Sequence, residues 1–332
     1  MDQPIPVTII TGFLGAGKTT FLNHLIEQHP DTKFAIIENE FGDINIDQEL
    51  VIGADEGIFE MSNGCICCTL NEELIDTLAK LIHSGKPFDH LVIETTGMAE
   101  PDGVAAAFVS SEEIQAYFQL NATVCMVDAA HFADTLEDRE EALKQLTFAD
   151  LVVLNKKSAV QASYLEELRQ QIQGLNPFAQ ILETDYGKVN DTILALQAYR
   201  PKRTEDSIIA LDDHSHHDHS HSHHHHHHLG DVKAHSFTFT EPFDFLKFMQ
   251  WSKVLLMFQR KNIYRIKGII NFAMHDQKMI FQSVQAASSF QKGSLWEEDQ
   301  PRVSRLVIIG KGLQRDRLEK SIRTCLERPR VT

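Results

Sequence analysis

Residues Gly12-Phe13-Leu14-Gly15-Ala16-Gly17-Lys18-Thr19-Thr20 carry the spacing G-x-x-x-x-G-K-T, directly after the apolar run Val7 to Ile10 and directly before a helical pattern. In that strand, loop and helix setting the glycines let backbone N–H groups converge on phosphate oxygens, and the helix N-terminus adds a favourable dipole. Lys18 then reaches β- and γ-phosphates, and the Thr19 hydroxyl ligates Mg²⁺. Gly12, Gly15, Ala16, Gly17, Lys18, Thr19 and Thr20 are the phosphate-binding candidates. Such a loop needs a carboxylate at the end of a neighbouring strand to hold the ion, and Leu91-Val92-Ile93-Glu94 supplies Glu94. Lys18, Thr19 and Glu94 are therefore the catalytic candidates, and the N–H of Gly97 is spaced to sense a γ-phosphate. Glu38, Glu40 and Asp43 follow a second apolar run, where a switch loop belongs, and offer carboxylates to Mg²⁺, an attacking water or another metal.

Base recognition falls to Asn155-Lys156-Lys157-Ser158, after the run Leu151 to Leu154. Guanine-binding proteins carry N-K-x-D here, and the aspartate accepts both N1–H and the 2-amino group. Asn155 and Lys156 are suited to hold and stack a base. Ser158 accepts at most part of what an aspartate accepts, and an unmatched polar contact costs about 1–3 kcal/mol. Guanine is the favoured base, with an ATP-dependent enzyme as the alternative.

Two further features suit metals. Asn63-Gly64-Cys65-Ile66-Cys67-Cys68 sets three thiols within four residues, just before a helix pattern whose N-terminus favours thiolates. Soft ligands in this number suit Zn²⁺ or Cu(I), and three local ligands leave a fourth position for a remote residue or for exchange. A redox cluster and a structural zinc are the other uses of such thiols. The second feature is the run Asp212 to His228, with 11 His, 3 Asp and 3 Ser in 17 residues, ending in His223, His224, His225, His226, His227 and His228. Imidazoles are mostly neutral at pH 7 and bind Zn²⁺, Ni²⁺ or Co²⁺, here at several weak, exchangeable sites. Cys125 and Cys325 read as core thiols, and the seven single histidines as surface or helix-end residues.

The elements that position these groups are legible from periodicity. Val7 to Ile10, Phe34 to Ile37, Leu91 to Ile93, Val124 to Val127, Leu151 to Leu154 and, more weakly, Gln180 to Leu182 read as strands. Between them lie helical patterns over Thr19 to Gln28, Asn71 to Ser84, Glu137 to Leu146 and Ala159 to Gln173. This alternation predicts a doubly wound α/β domain with a mainly parallel sheet over residues 1–200. Residues 201–232 read as a flexible linker. Residues 233–332 predict a small α+β domain, with strands over Ser236 to Thr240, Ile263 to Ala273, Lys278 to Val284 and Arg302 to Ile309. Helices over Phe243 to Phe258 and Leu313 to Leu326 would cover one sheet face, and Arg265 and Lys267 would share a solvated or salt-bridged strand face.

Composition bounds the partners. The 332 residues hold 31 Lys and Arg against 47 Asp and Glu, a net charge of −16. Such an acidic surface repels nucleic-acid backbones and anionic lipid, so neither is an expected partner. No apolar run suggests a transmembrane helix, Met1 to Pro4 lacks the marks of a signal peptide, and a cytoplasmic chain is expected.

Taken together, these motifs resemble the CobW-like, YjiA-type P-loop GTPases, a family of metallochaperones for zinc and related ions. The resemblance spans nearly the whole chain. It rests on Gly12 to Thr20, Glu38 to Gly42, Gly64 to Cys68, Glu94-Thr95-Thr96-Gly97-Met98-Ala99-Glu100-Pro101, the histidine-rich segment, Arg265-Ile266-Lys267-Gly268 and Trp296. It implies a GTPase using GTP and Mg²⁺, whose Cys65, Cys67 and Cys68 bind Zn²⁺, or Co²⁺ or Ni²⁺; slow intrinsic turnover is expected because no residue stands out as an in-line base. Nucleotide state would then alter metal affinity and drive delivery to a client metalloprotein. Apart from the resemblance, a nucleotide- or metal-dependent homo-oligomer is a further candidate partner. A passive metal-buffering NTPase and a cobalt- or nickel-inserting GTPase are the alternatives. Ser158 departs from the family aspartate.

Overall fold

The computed structural model describes residues 3–38, 58–60, 70–85, 87–95, 100–136, 140–189, 193–215, 231–285 and 287–327. Gly97, Cys65, Cys67, Cys68, Glu40, Asp43 and His223 to His228 lie outside them, and of Glu38 only the backbone is described. The chain forms two units, residues 1–173 with 179–198, and residues 174–178 with 199–332.

The first unit alternates strand and helix: β1 (Ile5–Gly12), α1 (Lys18–Gln28), β2 (Phe34–Glu38), β3 (Ile58–Glu60), α2 (Leu70–His83), β4 (His90–Glu94), α3 (Pro101–Ser110), α4 (Glu112–Gln115), β5 (Phe118–Asp128), α5 (Phe132–Leu136), α6 (Glu140–Phe148), β6 (Leu151–Asn155), α7 (Ala162–Leu175) and β7 (Gln180–Glu183). The strands form a seven-stranded sheet in the order β3-β2-β4-β1-β5-β6-β7, and every pairing is parallel. Helices on both faces bury the central strands, so Val7, Ile9, Leu91, Val92, Val124, Val152 and Val153 are all inaccessible. The chain leaves β1 toward β2 on one side, then crosses to β5 on the other. The carboxyl edge at β1 is therefore a topological switch point, where α/β sheets bind ligands. Beneath it Thr8 Oγ1 accepts from Asn121 Nδ2 at 3.0 Å and bonds His90 Nε2 at 2.8 Å. His90 is thus a buried strand residue and not the surface residue its isolation suggests.

The second unit opens with a departure from the linker reading. Pro201–Ser215 is a helix, α8. Its covered face carries Thr204 and Glu205 beside Ile208, so the helical period is there but is partly polar. It is followed by β8 (Val232–Phe239), α9 (Phe245–Gln259), β9 (Ile263–Ile270), β10 (Gln277–Val284), β11 (Ala287–Leu295), β12 (Ser304–Lys311) and α10 (Arg315–Arg323). The antiparallel sheet runs β11-β10-β9-β12-β8. Phe248 and Leu256 of α9 and Leu318 and Ile322 of α10 share one core with Ile266, Phe281 and Leu306. On the opposite face α8 packs over β9, β10 and β11. Helices on one face only was the expectation; α8 covers the other because sheet polar groups match its own. Gln282 Nε2 donates to Thr204 Oγ1 at 3.0 Å, and Lys278 Nζ meets Glu205 Oε1 at 2.6 Å with both side chains largely buried. Arg265 and Lys267 share a face as expected, but it is not solvated: they are 1% and 3% exposed and lie over the rings of Tyr199 and Phe178, respectively.

Candidate nucleotide-binding site

β1 ends at Gly12, opposite Met126 of β5, and the chain then loops through Phe13 to Gly17 before α1 begins at Lys18. The loop closes on itself through the N–H of Ala16, which donates to Phe13 O at 3.2 Å. Gly17 caps α1 with φ +98°, and a Cβ there would stand 2.5 Å from Asn155 Nδ2. Both the left-handed backbone and the close approach require glycine. The turn delivers Lys18 to the loop interior, where Nζ donates to Gly12 O at 3.0 Å and Phe13 O at 3.3 Å. Thr19 sits one residue on and Thr20, next along the helix, is exposed.

The register of β4 against β1 pairs Glu94 with Ile10, which brings Glu94 to the same edge. Thr19 Oγ1 donates to Glu94 Oε1 at 3.3 Å. A hydroxyl and a carboxylate oxygen converging beside a phosphate-type loop are the hard donors that Mg²⁺ takes. The pairing joins residues 75 apart in the sequence and brings together all three catalytic candidates, Lys18, Thr19 and Glu94.

Asn155 and Lys156 close the other side. Asn155, 2% exposed, donates from Nδ2 to Ala16 O at 2.9 Å and accepts at Oδ1 from the N–H of Gly187 at 3.0 Å. Lys156 Nζ donates to Gly15 O at 2.9 Å and to Asp128 Oδ2 at 2.7 Å. That aspartate also meets His131 Nδ1 at 3.0 Å and accepts from the N–H of Ala130 at 2.9 Å. Burial alone would raise the Asp128 carboxyl; the bonds from Lys156, His131 and Ala130 outweigh it and hold the group below the usual carboxylate range. A cavity of about 270 Å³ lies here, lined by Phe13 and Gly15 of the loop, by Met126 and Phe132, and by Asp128 and Lys156. Cys125, which also lines it, is buried, and that burial pushes its thiol up to about 12, as befits a core cysteine.

Asp128 and Asp185 are the residues that sequence reasoning passed over. Each stands at or just past the end of a parallel strand, as Glu94 does, and that position was the available signal. Asp185 Oδ1 accepts from the N–H and the hydroxyl of Ser158, at 3.0 and 2.9 Å. The metal candidates Cys65, Cys67, Cys68 and His223 to His228 are outside the described residues, as is Gly97. Among the described residues no cluster of three or more His, Cys, Asp and Glu side chains is placed to hold a metal.

The loop, its lysine, the threonine and carboxylate pair and the Asn-Lys strand end make a nucleotide-binding architecture. A model of the CobW/HypB/UreG nucleotide-binding domain matches residues 6–183, more than half the chain, and one of the cobalamin synthesis protein CobW C-terminal domain matches residues 232–326. The chain belongs to the CobW/HypB/UreG family. Among its CobW-type relatives are the zinc chaperone YjiA of Escherichia coli, 29% identical over 93% of this chain and 94% of that protein, and the zinc chaperone CobW of Pseudomonas aeruginosa, 33% identical over 97% and 92%. The zinc-regulated GTPase metalloprotein activator 1 of Schizosaccharomyces pombe is 30% identical over 94% and 84%. The crystal structure of Zn(II)-bound YjiA GTPase from E. coli superposes with a TM-score of 0.74 at 26% identity, covering 98% of this chain and all of that one. Among the described residues no helix is long and apolar enough to cross a membrane.

Proposed function

We propose that this chain is a slow, metal-regulated GTPase that delivers Zn²⁺ to client metalloproteins. The observation that carries the reading is the meeting of Thr19 Oγ1 with Glu94 Oε1 at 3.3 Å beside Lys18, in a chain similar over nearly its full length to proteins named zinc chaperone and zinc-regulated GTPase. Lys18 exchanges the Gly12 and Phe13 carbonyls for β- and γ-phosphate oxygens, and the N–H groups of Gly15, Ala16, Gly17, Lys18, Thr19 and Thr20 are the phosphate cradle. Thr19 and Glu94 would hold Mg²⁺, which neutralises charge developing on the transferred phosphoryl group. Asn155 fixes the loop to the base side, and Lys156 lays its stem along the base. Gly97, three residues after Glu94 in the sequence, and Glu38, at the end of β2, are the candidates to sense the γ-phosphate.

Cys65, Cys67 and Cys68 are the zinc ligands in this reading; they stand in the sequence between β3 and α2, upstream of the strand that ends in Glu94. The state of the γ-phosphate then sets metal affinity, and hydrolysis releases the ion to the client. His223 to His228 and the rest of the histidine run gather exchangeable metal. The test separates the two halves of the site. Lys18→Ala and Thr19→Ala should each lower phosphate release at least about 100-fold while leaving tight zinc stoichiometry unchanged. A triple Cys65→Ser, Cys67→Ser, Cys68→Ser variant should bind GTP and lose its tight zinc. A triple variant that keeps one tight zinc would overturn the assignment.

A further inference from the structure

Ser158 stands where a guanine-binding motif ends in aspartate, yet a carboxylate reaches that place in space. Asp185 lies two residues beyond β7, and its Oδ1 accepts from both the N–H and the Oγ of Ser158. The loop around it is fixed to the base-motif strand at several points. Thr184 N–H donates to Leu154 O at 2.8 Å, and Lys157 N–H donates to Thr184 O at 3.1 Å. Gly187 N–H donates to Asn155 Oδ1, and at Gly187 the backbone passes so near α1 that a Cβ would stand 2.8 Å from the Phe21 Cα. Through Asn155 and α1 the loop is thus registered against the phosphate loop itself. Asp185 is partly exposed, and among the described residues Oδ2 takes no protein donor.

We propose that Asp185 is the specificity-determining carboxylate for guanine: its function has moved from the fourth position of the base motif to the loop after β7, and Ser158 is the clip that orients it. This rests on the reading of the loop as a nucleoside triphosphate site. The chemistry is that of donor and acceptor matching. Guanine presents N1–H and a 2-amino N–H side by side, and an ionised carboxylate oxygen accepts from both. Adenine offers an acceptor at N1 and no donor at C2, so the same oxygen repels it. Ser158, chiefly through its N–H, holds the Asp185 carboxyl below the usual carboxylate range.

Asp185→Asn in the full-length chain is the test. The asparagine oxygen still accepts from Ser158, but its NH₂ now faces guanine's donors and complements the 2-oxo group of xanthine. Affinities for GTP, XTP and ATP are measured with Mg²⁺ by competition against a fluorescent nucleotide. The wild-type chain should prefer GTP; the variant should lose about 10- to 100-fold in GTP affinity, gain XTP and keep its ATP affinity. The exchange variant Ser158→Asp with Asp185→Ser returns a carboxylate to the base edge and should regain GTP preference; an exchange variant that binds nucleotide without regaining it would overturn the proposal. Unchanged ranking in Asp185→Asn, or a wild-type chain that does not separate GTP from ATP, overturns the proposal while leaving the triphosphate site standing. Failure of the wild-type chain to bind any of the three overturns both.

Discussion

Asn155 ties the phosphate loop to the base side, and its removal has a calculable cost. The side chain is 2% exposed, gives one hydrogen bond to Ala16 O and takes one from Gly187 N–H. Asn155→Ala strands both groups in a buried setting, each at about 1–3 kcal/mol, and water entering the vacated volume moves the sum toward the lower half, about 2–4 kcal/mol. Asn155→Asp sharpens the argument. It preserves volume and the acceptor for Gly187, but sets a carboxylate oxygen against the Ala16 carbonyl, two acceptors face to face. At pH 7 it should destabilise at least as much as alanine. On acidification the returned proton can be donated to Ala16 O, so the aspartate variant should gain on the wild type as pH falls. Urea unfolding of nucleotide-free protein at pH 7 and pH 5 measures both effects. A cost under about 0.5 kcal/mol for alanine, or an aspartate variant more stable than alanine at pH 7, would refute the reasoning, because either result means that packing and not the two hydrogen bonds holds the loops together.

Two other predictions follow from buried charge. Burial first, and the neighbouring His29 second, lower His90 to about 4 from an unfolded value of 6.5. The unfolded chain therefore binds the proton first, so stability is complete above pH 6.5 and declines as pH falls toward 4, by about 2 kcal/mol at pH 5; His90→Gln should flatten that slope in denaturation series, and an unaltered slope would contradict the assignment. Glu205→Gln leaves Lys278 buried without its partner and should cost about 3–5 kcal/mol, while Glu205→Leu with Lys278→Met recovers most of it; equal losses in the single and double variants would show that the pair is not the source.

The parallel core was legible because its strands are short, mostly apolar runs rich in β-branched residues, as in Val7 to Ile10 and Leu151 to Leu154, and the phosphate loop because its glycines are dictated by backbone geometry. Less visible were elements whose buried face is polar. The period of α8 is carried by Thr204, Glu205 and Ile208, and β11 runs Ala287-Ser288-Ser289-Phe290-Gln291-Lys292 at a sheet edge, where half-exposed strands need little apolar content. Arg265 and Lys267 read as a solvated or salt-bridged face, and it is the solvated half that fails, because only tertiary packing sets Tyr199 and Phe178 over them. The same limit hid Asp185: a carboxylate supplied from 27 residues away repairs a motif that looks incomplete in one dimension.

The central claim is that nucleotide state and zinc affinity are coupled. It is tested most directly by titrating Zn²⁺ against a competing chelator in the presence of no nucleotide, GDP, GTP and a non-hydrolysable GTP analogue, alongside GTP-analogue titrations with and without zinc. Linkage requires the factor by which the analogue changes zinc affinity to equal the factor by which zinc changes analogue affinity, about 5- to 150-fold for a typical coupling. The account predicts tighter zinc with the triphosphate analogue than with GDP, and equal factors in the two directions. Zinc affinity that is the same in all four states would contradict it.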